Sequence, residues 1–266
     1  MSFEAKLSSS ALLKDAVSIA YEIVKDEAAF RISNDGLFMN AMDPANVSMI
    51  ILRILRPAFE TYKIDSETTI GIDMDKLFQV LKQADASDSV TLKLDDESSS
   101  TSGKKGAGNT LKIIFKGRTR RTFSVPLMDV PMEGRPVPAL NFEAKVVMNS
   151  AALAQGVSDA EIISDAVALT IPQDAKEFVM EAKGSLGHFE LRASKEDENT
   201  PVKEIDANKP CRAVYAVDYL KKMIKASKIN EDVIIQFRTD FPLRLDYVKT
   251  DVMQLSFILA PRVETD

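Results

Sequence analysis

The sequence predicts an α+β fold in which one sheet-plus-two-helix module occurs twice, and three observations carry that expectation. Phe3-Glu4-Ala5-Lys6 returns as Phe142-Glu143-Ala144-Lys145, each followed by a Ser- or Asn-initiated stretch rich in Ala and Leu. Lys76–Lys82 (KLFQVLK) followed by Val90–Leu94 resembles Tyr219–Lys225 (YLKKMIK) followed by Val233–Phe237. Short period-two strand patterns also far outnumber helical ones, which favours antiparallel sheet with helices collected on one side.

Four stretches have helical periodicity. Ala11–Glu22 sets Leu13, Ala16, Val17 and Ala20 on one face, and Asp73–Ala84 does the same with Leu77, Val80, Leu81 and Ala84. Asn149–Val157 is short and Ala-rich, and Val217–Ser227 carries Leu220, Met223 and Ile224. Ser10, Asp73, Asn149 and Asp218 stand where N-caps are expected. Ala28–Ile32 runs into Asn34-Asp35-Gly36, a hairpin signal, and on to Leu37–Met42. Val47–Leu55 reads as a strand. Further strand patterns are Val90–Leu94, Leu111–Lys116, Arg121–Leu127, Val167–Ile171, Phe178–Lys183, His188–Ala193, Val233–Arg238, Leu243–Val248 and Gln254–Leu259. Asp95–Asn109 reads as a flexible hairpin tip: its Gly-Lys-Lys-Gly-Ala-Gly lacks the residue order of a phosphate loop. Pro126–Leu140 holds four of the eleven prolines and reads as an extended connector. Its apolar side, Val130, Met132, Val137 and Leu140, suits protein docking. The expected domains are therefore 1–127 and 142–266, joined by a connector over 128–141.

With 266 residues, 45% hydrophobic and 28% charged, both halves can bury a core. One cysteine, Cys211, excludes a disulfide framework and a multi-cysteine zinc site, and reads as a buried thiol in a reducing compartment. No apolar run approaches the roughly 20 residues of a spanning helix, and Glu4 and Lys6 interrupt the N-terminus. The expectation is a soluble, intracellular protein with no membrane partner.

No catalytic site is expected. His188 is the only histidine and lies in a strand pattern with no nucleophile motif nearby. Asp73 with Asp75 reads as helix capping, and Asp95 with Asp96 as loop polarity, so neither metal nor cofactor is expected. The net charge of −6 argues against nucleic acid, but the distribution argues the other way. Lys221, Lys225 and Lys228 recur at helical spacing with Lys222 beside them, Lys76 and Lys82 project from the second helix, and Lys14 from the first. Acidic residues gather in turns and at the C-terminus, including Glu264. A basic helical side and an acidic remainder suit a polyanion held without base readout, although Asn149–Val157 has no Lys or Arg.

Four ordered stretches then resemble the proliferating cell nuclear antigen family, the archaeal and eukaryotic DNA sliding clamps. They are Ala41–Val47 (AMDPANV), Thr122–Asp129 (TFSVPLMD), Asp240–Tyr247 (DFPLRLDY) and Leu259–Glu264 (LAPRVE). Pro44 and the Leu-Ala-Pro-Arg ending look archaeal. The resemblance implies a homotrimeric closed ring whose helices line a channel around duplex DNA. Such a ring tethers DNA polymerase, clamp loader, flap endonuclease and DNA ligase through short peptides. It would lie in the cytoplasm or nucleoid if archaeal, and in the nucleus if eukaryotic.

By the same resemblance Lys14, Lys76, Lys82, Lys221, Lys222, Lys225 and Lys228 face the DNA. Met42, Asn46, Val47, Met49, Met132, Val137, Pro242, Ile258, Ala260 and Pro261 match the partner-peptide pocket, where methionines repack for different clients. Arg135 stands where the family has leucine or a similar apolar residue. Subunits are expected to join by edge-strand pairing of Leu111–Lys116 and Arg121–Phe123 against Glu177–Lys183 of a neighbour. Lys112, Arg121 and Phe123 would thus meet Glu177, Phe178 and Glu181, with Arg118 and Arg120 close by. A subunit of a heterotrimeric clamp, a monomeric peptide-binding scaffold and an enzyme with a helix-lined site remain the alternatives.

Overall fold

A computed structural model describes residues 2–94, 110–130 and 135–263. The loop at 95–109, Met132 and Glu264 lie outside the described residues.

Among the described residues the order of α-helices and strands repeats, and only short 3₁₀ segments differ between the halves. The first half runs β1 (Phe3–Leu7), α1 (Ala11–Ile23), β2 (Glu27–Ser33), β3 (Gly36–Met42), β4 (Ser48–Leu55), β5 (Thr61–Ile64), β6 (Thr68–Asp73), α2 (Met74–Lys82), β7 (Ser89–Leu94), β8 (Thr110–Lys116) and β9 (Arg120–Met128). The second runs β10 (Ala144–Asn149), α3 (Ser150–Ile163), β11 (Ala166–Ile171), β12 (Glu177–Gly184), β13 (Gly187–Ser194), β14 (Val202–Ala207), β15 (Cys211–Ala216), α4 (Val217–Met223), β16 (Asp232–Phe237), β17 (Leu243–Lys249) and β18 (Met253–Leu259). Pairing repeats as well: β1 lies between β5 and β7, and β10 lies between β14 and β16. Likewise β2 lies between β3 and β6, and β11 between β12 and β15.

The register refines the repeat. Phe3 stands opposite Leu94 and Ala144 opposite Phe237, so the structural counterpart of Phe3 is Ala144 and not Phe142. The tetrapeptide match is two residues out of step. Two is also the side-chain period of a strand, so the slip leaves the buried face unchanged.

The chain forms two compact units. The first comprises Met1–Pro44, Ile50–Val137 and Thr250–Gln254; the second comprises Ala45–Met49, Pro138–Lys249 and Leu255–Asp266. In the first unit Leu13, Val17 and Leu77 of the helices meet Phe3, Phe30, Leu37, Ile70 and Leu92 of the strands. Tyr21 of α1 stacks on Phe78 of α2 at 4.5 Å. In the second unit α3 packs on β11–β13, with Gly156 close against Met180 and Leu191.

The helices depart from the sequence pattern in two places. α3 extends to Ile163, beyond the stretch of apolar periodicity, and within it Gln155 bonds Asp159 at i,i+4. The last helix is α-helical only to Met223 and continues as a 3₁₀ segment, Ile224–Lys228. Asp73 and Asn149 cap α2 and α3 as expected. Ala216 holds the cap position of α4, with Asp218 in its first turn, and the Ser10 hydroxyl bonds the Asp85 carbonyl instead of its own helix.

Candidate nucleic-acid and partner interfaces

The seven lysines sit on three of the four helical segments, in different electrostatic settings. Lys14 is anchored: its ammonium donates to the carbonyls of Lys82 and Ala84 at the end of α2, where the helix dipole is negative. Lys76 pairs with Asp73 at 2.7 Å, which together with the cap bond holds the Asp73 carboxyl below its ordinary range. Lys82 lies 6.0 Å from the Phe78 ring. Lys221 is paired with Glu161 of α3, and Lys222 lies 4.8 Å over the Tyr219 ring. Lys225 and Lys228 are exposed on the 3₁₀ segment. The longer α3 adds Asp159 and Glu161 and no cation. Basic character therefore concentrates on α2 and on the Lys221–Lys228 run, and Glu161 neutralises part of that run.

Seven of the ten pocket residues belong to the second unit: Asn46, Val47, Met49, Pro242, Ile258, Ala260 and Pro261. The Ala260 N–H donates to the Val47 carbonyl at 2.9 Å, which brings two of the matching stretches side by side. Asn46 turns the chain there with a left-handed φ of 56°, a conformation asparagine tolerates. Val47, Pro242, Ala260 and Pro261 are half-buried, whereas Met49 and Ile258 are buried. The Asp240–Tyr247 stretch is held from beneath. Arg244 forks onto Asp246, Ser256 donates to that same carboxylate, and Tyr247 is wholly buried against Phe257. Met42 and Val137 belong to the first unit and are half-buried. Val130, read as part of an exposed apolar side, packs instead against Gly71, where a Cβ would lie 2.7 Å from its methyls.

The expected subunit strand needs correction. β12 lies between β11 and β13, so both of its edges are already paired and it has no free backbone groups to offer a second chain. Phe178 is wholly buried against Phe237 and cannot reach a seam. β8, holding Leu111–Lys116 and Lys112, is likewise enclosed between β7 and β9. Among the described strands β5, β14 and β15 each end a sheet; next to the expected segments, the open edges are those of β13, which pairs only with β12, and of β9, which meets β6 only at Leu127 and Met128. Both edge strands carry half-buried apolar side chains, Phe123 on β9 and Phe189 and Leu191 on β13. Arg121 is spent internally on Asp88, while Glu177 is taken by Arg192, and Glu181 lies beside His188 and Lys183. No one-dimensional pattern tells an edge strand from its neighbour; the exposed turn at Leu186 before β13 was the available hint.

His188, Glu181 and Glu190 bring ligand atoms within 4.8 Å of one another. Arg192 grips the Glu190 carboxylate with two donors and holds it below its ordinary range, so the arrangement is an ion-pair ladder across two strands. Burial pushes the Cys211 thiol up, away from the reactive thiolate form. Among the described residues no helix is long and apolar enough to cross a membrane.

Comparison with known proteins bears on the whole chain. Residues 2–116 match the family described as proliferating cell nuclear antigen, N-terminal domain, and residues 136–262 match its C-terminal domain. The DNA polymerase sliding clamp 1 of Thermococcus kodakarensis is 34% identical over 264 residues, covering 99% of this chain and 100% of that protein. The DNA polymerase sliding clamp of Pyrococcus furiosus is 36% identical over 239 residues, 90% of each. Among solved structures, one described as the C-terminal region of FEN-1 bound to A. fulgidus PCNA aligns with a TM-score of 0.83 and 30% identity, over 99% of this chain and 100% of that one. PCNA from Thermococcus kodakaraensis aligns with a TM-score of 0.84 and 27% identity, over 98% and 100%.

Proposed function

This chain belongs to the proliferating cell nuclear antigen family, and from that premise we propose that it is a DNA sliding clamp. It acts by encircling duplex DNA and tethering replication enzymes, with no catalysis of its own. The observation that carries this reading is likeness to DNA polymerase sliding clamps along almost the entire chain.

The geometry supports a ring. Two different open edges, β9 and β13, on one chain favour a head-to-tail contact, and such a contact closes into a ring when the rotation between copies permits. Pairing them removes the unpaired backbone groups that make exposed edges prone to aggregation. The lysines of α2 and of Lys221–Lys228 contact phosphates as point charges, which suits movement along any sequence. The Val47/Ala260 surface takes client peptides, among them that of a flap endonuclease; polymerase, clamp loader and ligase are the further clients expected to share it.

Light scattering tests the assembly. A homotrimer gives three times the 29.4 kDa chain mass. A monomer at micromolar concentration would overturn the homotrimeric ring, and a trimer formed only with a second related chain would replace it by a mixed one.

A further inference from the structure

The first unit holds a second concave feature, whose lining residues include none of the ten pocket residues above although Asn40 and Pro136 lie close to Met42 and Val137 in sequence. A cleft of about 430 Å³ opens on its sheet, with Arg31, Arg53 and Arg135 around it and a single carboxylate, Asp35. Register explains how these distant residues meet. Arg31 of β2 stands opposite Phe38 of β3 and Thr69 of β6. Alternation sends Phe30, Leu37 and Ile70 to the other face, where they meet the helices. The cleft therefore opens on the face that carries no helix. Arg53 is the one exposed residue of β4, and Arg135 arrives from the connector.

These three arginines are set apart by their convergence on one cleft, and they differ from the arginines that the fold already neutralises. Arg121, Arg192, Arg244 and Arg262 are each ion-paired within it. Among the described residues, none of the three cleft arginines has such a carboxylate partner. Arg31 is held in place by stacking on the Phe38 ring at 5.0 Å, which leaves its donors free. Three like charges gathered around one carboxylate, Asp35, in a chain of net charge −6, leave an excess of positive charge that an added anion would offset. A guanidinium fork matches a carboxylate in plane, and Asn40 and Thr69 add neutral hydrogen-bonding groups between them.

We propose that this cleft is a docking site for an acidic peptide segment of a partner protein, one bearing at least two closely spaced carboxylates. Its size suits a few side chains, and Phe38 and Pro136 supply apolar wall for the stems between the charges. Nucleic acid fits less well, because a duplex backbone asks for cations along an extended surface. The inference goes beyond the clamp reading and does not depend on it: a chain that never closed a ring would still show it.

Fluorescence anisotropy with the full chain tests it at low salt. The probes are a labelled peptide alternating glutamate with leucine, its glutamine counterpart, and a labelled short duplex DNA. The glutamate peptide is expected to bind, the glutamine peptide not to bind, and Arg31→Gln with Arg53→Gln to weaken binding by about tenfold or more. Arg135→Gln is expected to weaken it further. All three side chains are exposed, so the variants keep the wild-type melting temperature. Equal affinity of the wild type and the double variant for the glutamate peptide, or no binding at all, overturns the proposal. Duplex DNA binding that falls in parallel with peptide binding in the double variant also overturns it, because the cleft would then be a general polyanion surface.

Discussion

Arg121 discriminates between a residue that holds its own fold and one that holds a neighbour. Its guanidinium donates to the Asp88 carboxylate at 2.5 Å and to the Gln83 carbonyl at 2.9 Å, and lies 5.5 Å from the Phe115 ring. The Asp88 side chain is 7% exposed and the Arg121 side chain 36%. A hydrogen bond to a charged group contributes about 1.5–3 kcal/mol, and solvent at the arginine end screens part of that. Arg121→Ala is therefore expected to cost about 2 kcal/mol, roughly a thirty-fold change in the folding equilibrium. Arg121→Glu costs more, because it sets a second carboxylate beside a buried one. The assay is urea unfolding at fixed protein concentration, in a cycle with Asp88→Asn; the two single losses should fail to add by about 1 kcal/mol or more. Additive losses, or an Arg121→Ala chain with wild-type stability that nonetheless dissociates, would refute the internal role and return Arg121 to the subunit seam.

Asp73→Ala removes the cap of α2 and should cost about 1 kcal/mol by thermal unfolding at neutral pH. Because Lys76 depresses the Asp73 carboxyl, its contribution is present above the ordinary carboxylate range and lost as pH falls through its lowered value. The difference between wild type and Asp73→Asn should thus shrink in acid; a gap constant with pH would contradict the pairing. Cys211 should resist a thiol reagent in the native protein and react fully in denaturant, and rapid native labelling would show that its strand opens.

Much of this architecture was legible because the chain states it twice. The apolar faces of α1 and α2 followed from spacing alone, and the duplication was visible even though the tetrapeptide pointed two residues away from the true counterpart. β1, β5, β6, β10, β14 and β15 escaped notice as strands: β5 has only four residues, and β6 is interrupted by Gly71, which lets the Met128 carbonyl approach. The seam was misplaced because adjacent strands β12 and β13 carry equally good period-two patterns, and edge position is a property of the sheet. The arginine cleft was invisible for a related reason. Arg31, Arg53 and Arg135 lie far apart in sequence and become one feature only when β2, β4 and the connector are in register.

The central claim is topological, and retention on DNA tests it most directly. The chain is loaded with a clamp loader onto a nicked circular duplex and isolated at a salt concentration that abolishes ordinary electrostatic binding. The circle is then cut once. The account expects stable retention before the cut and rapid loss after it, as the protein slides off the free ends. Equal retention on circle and line would mean that the protein grips DNA without surrounding it.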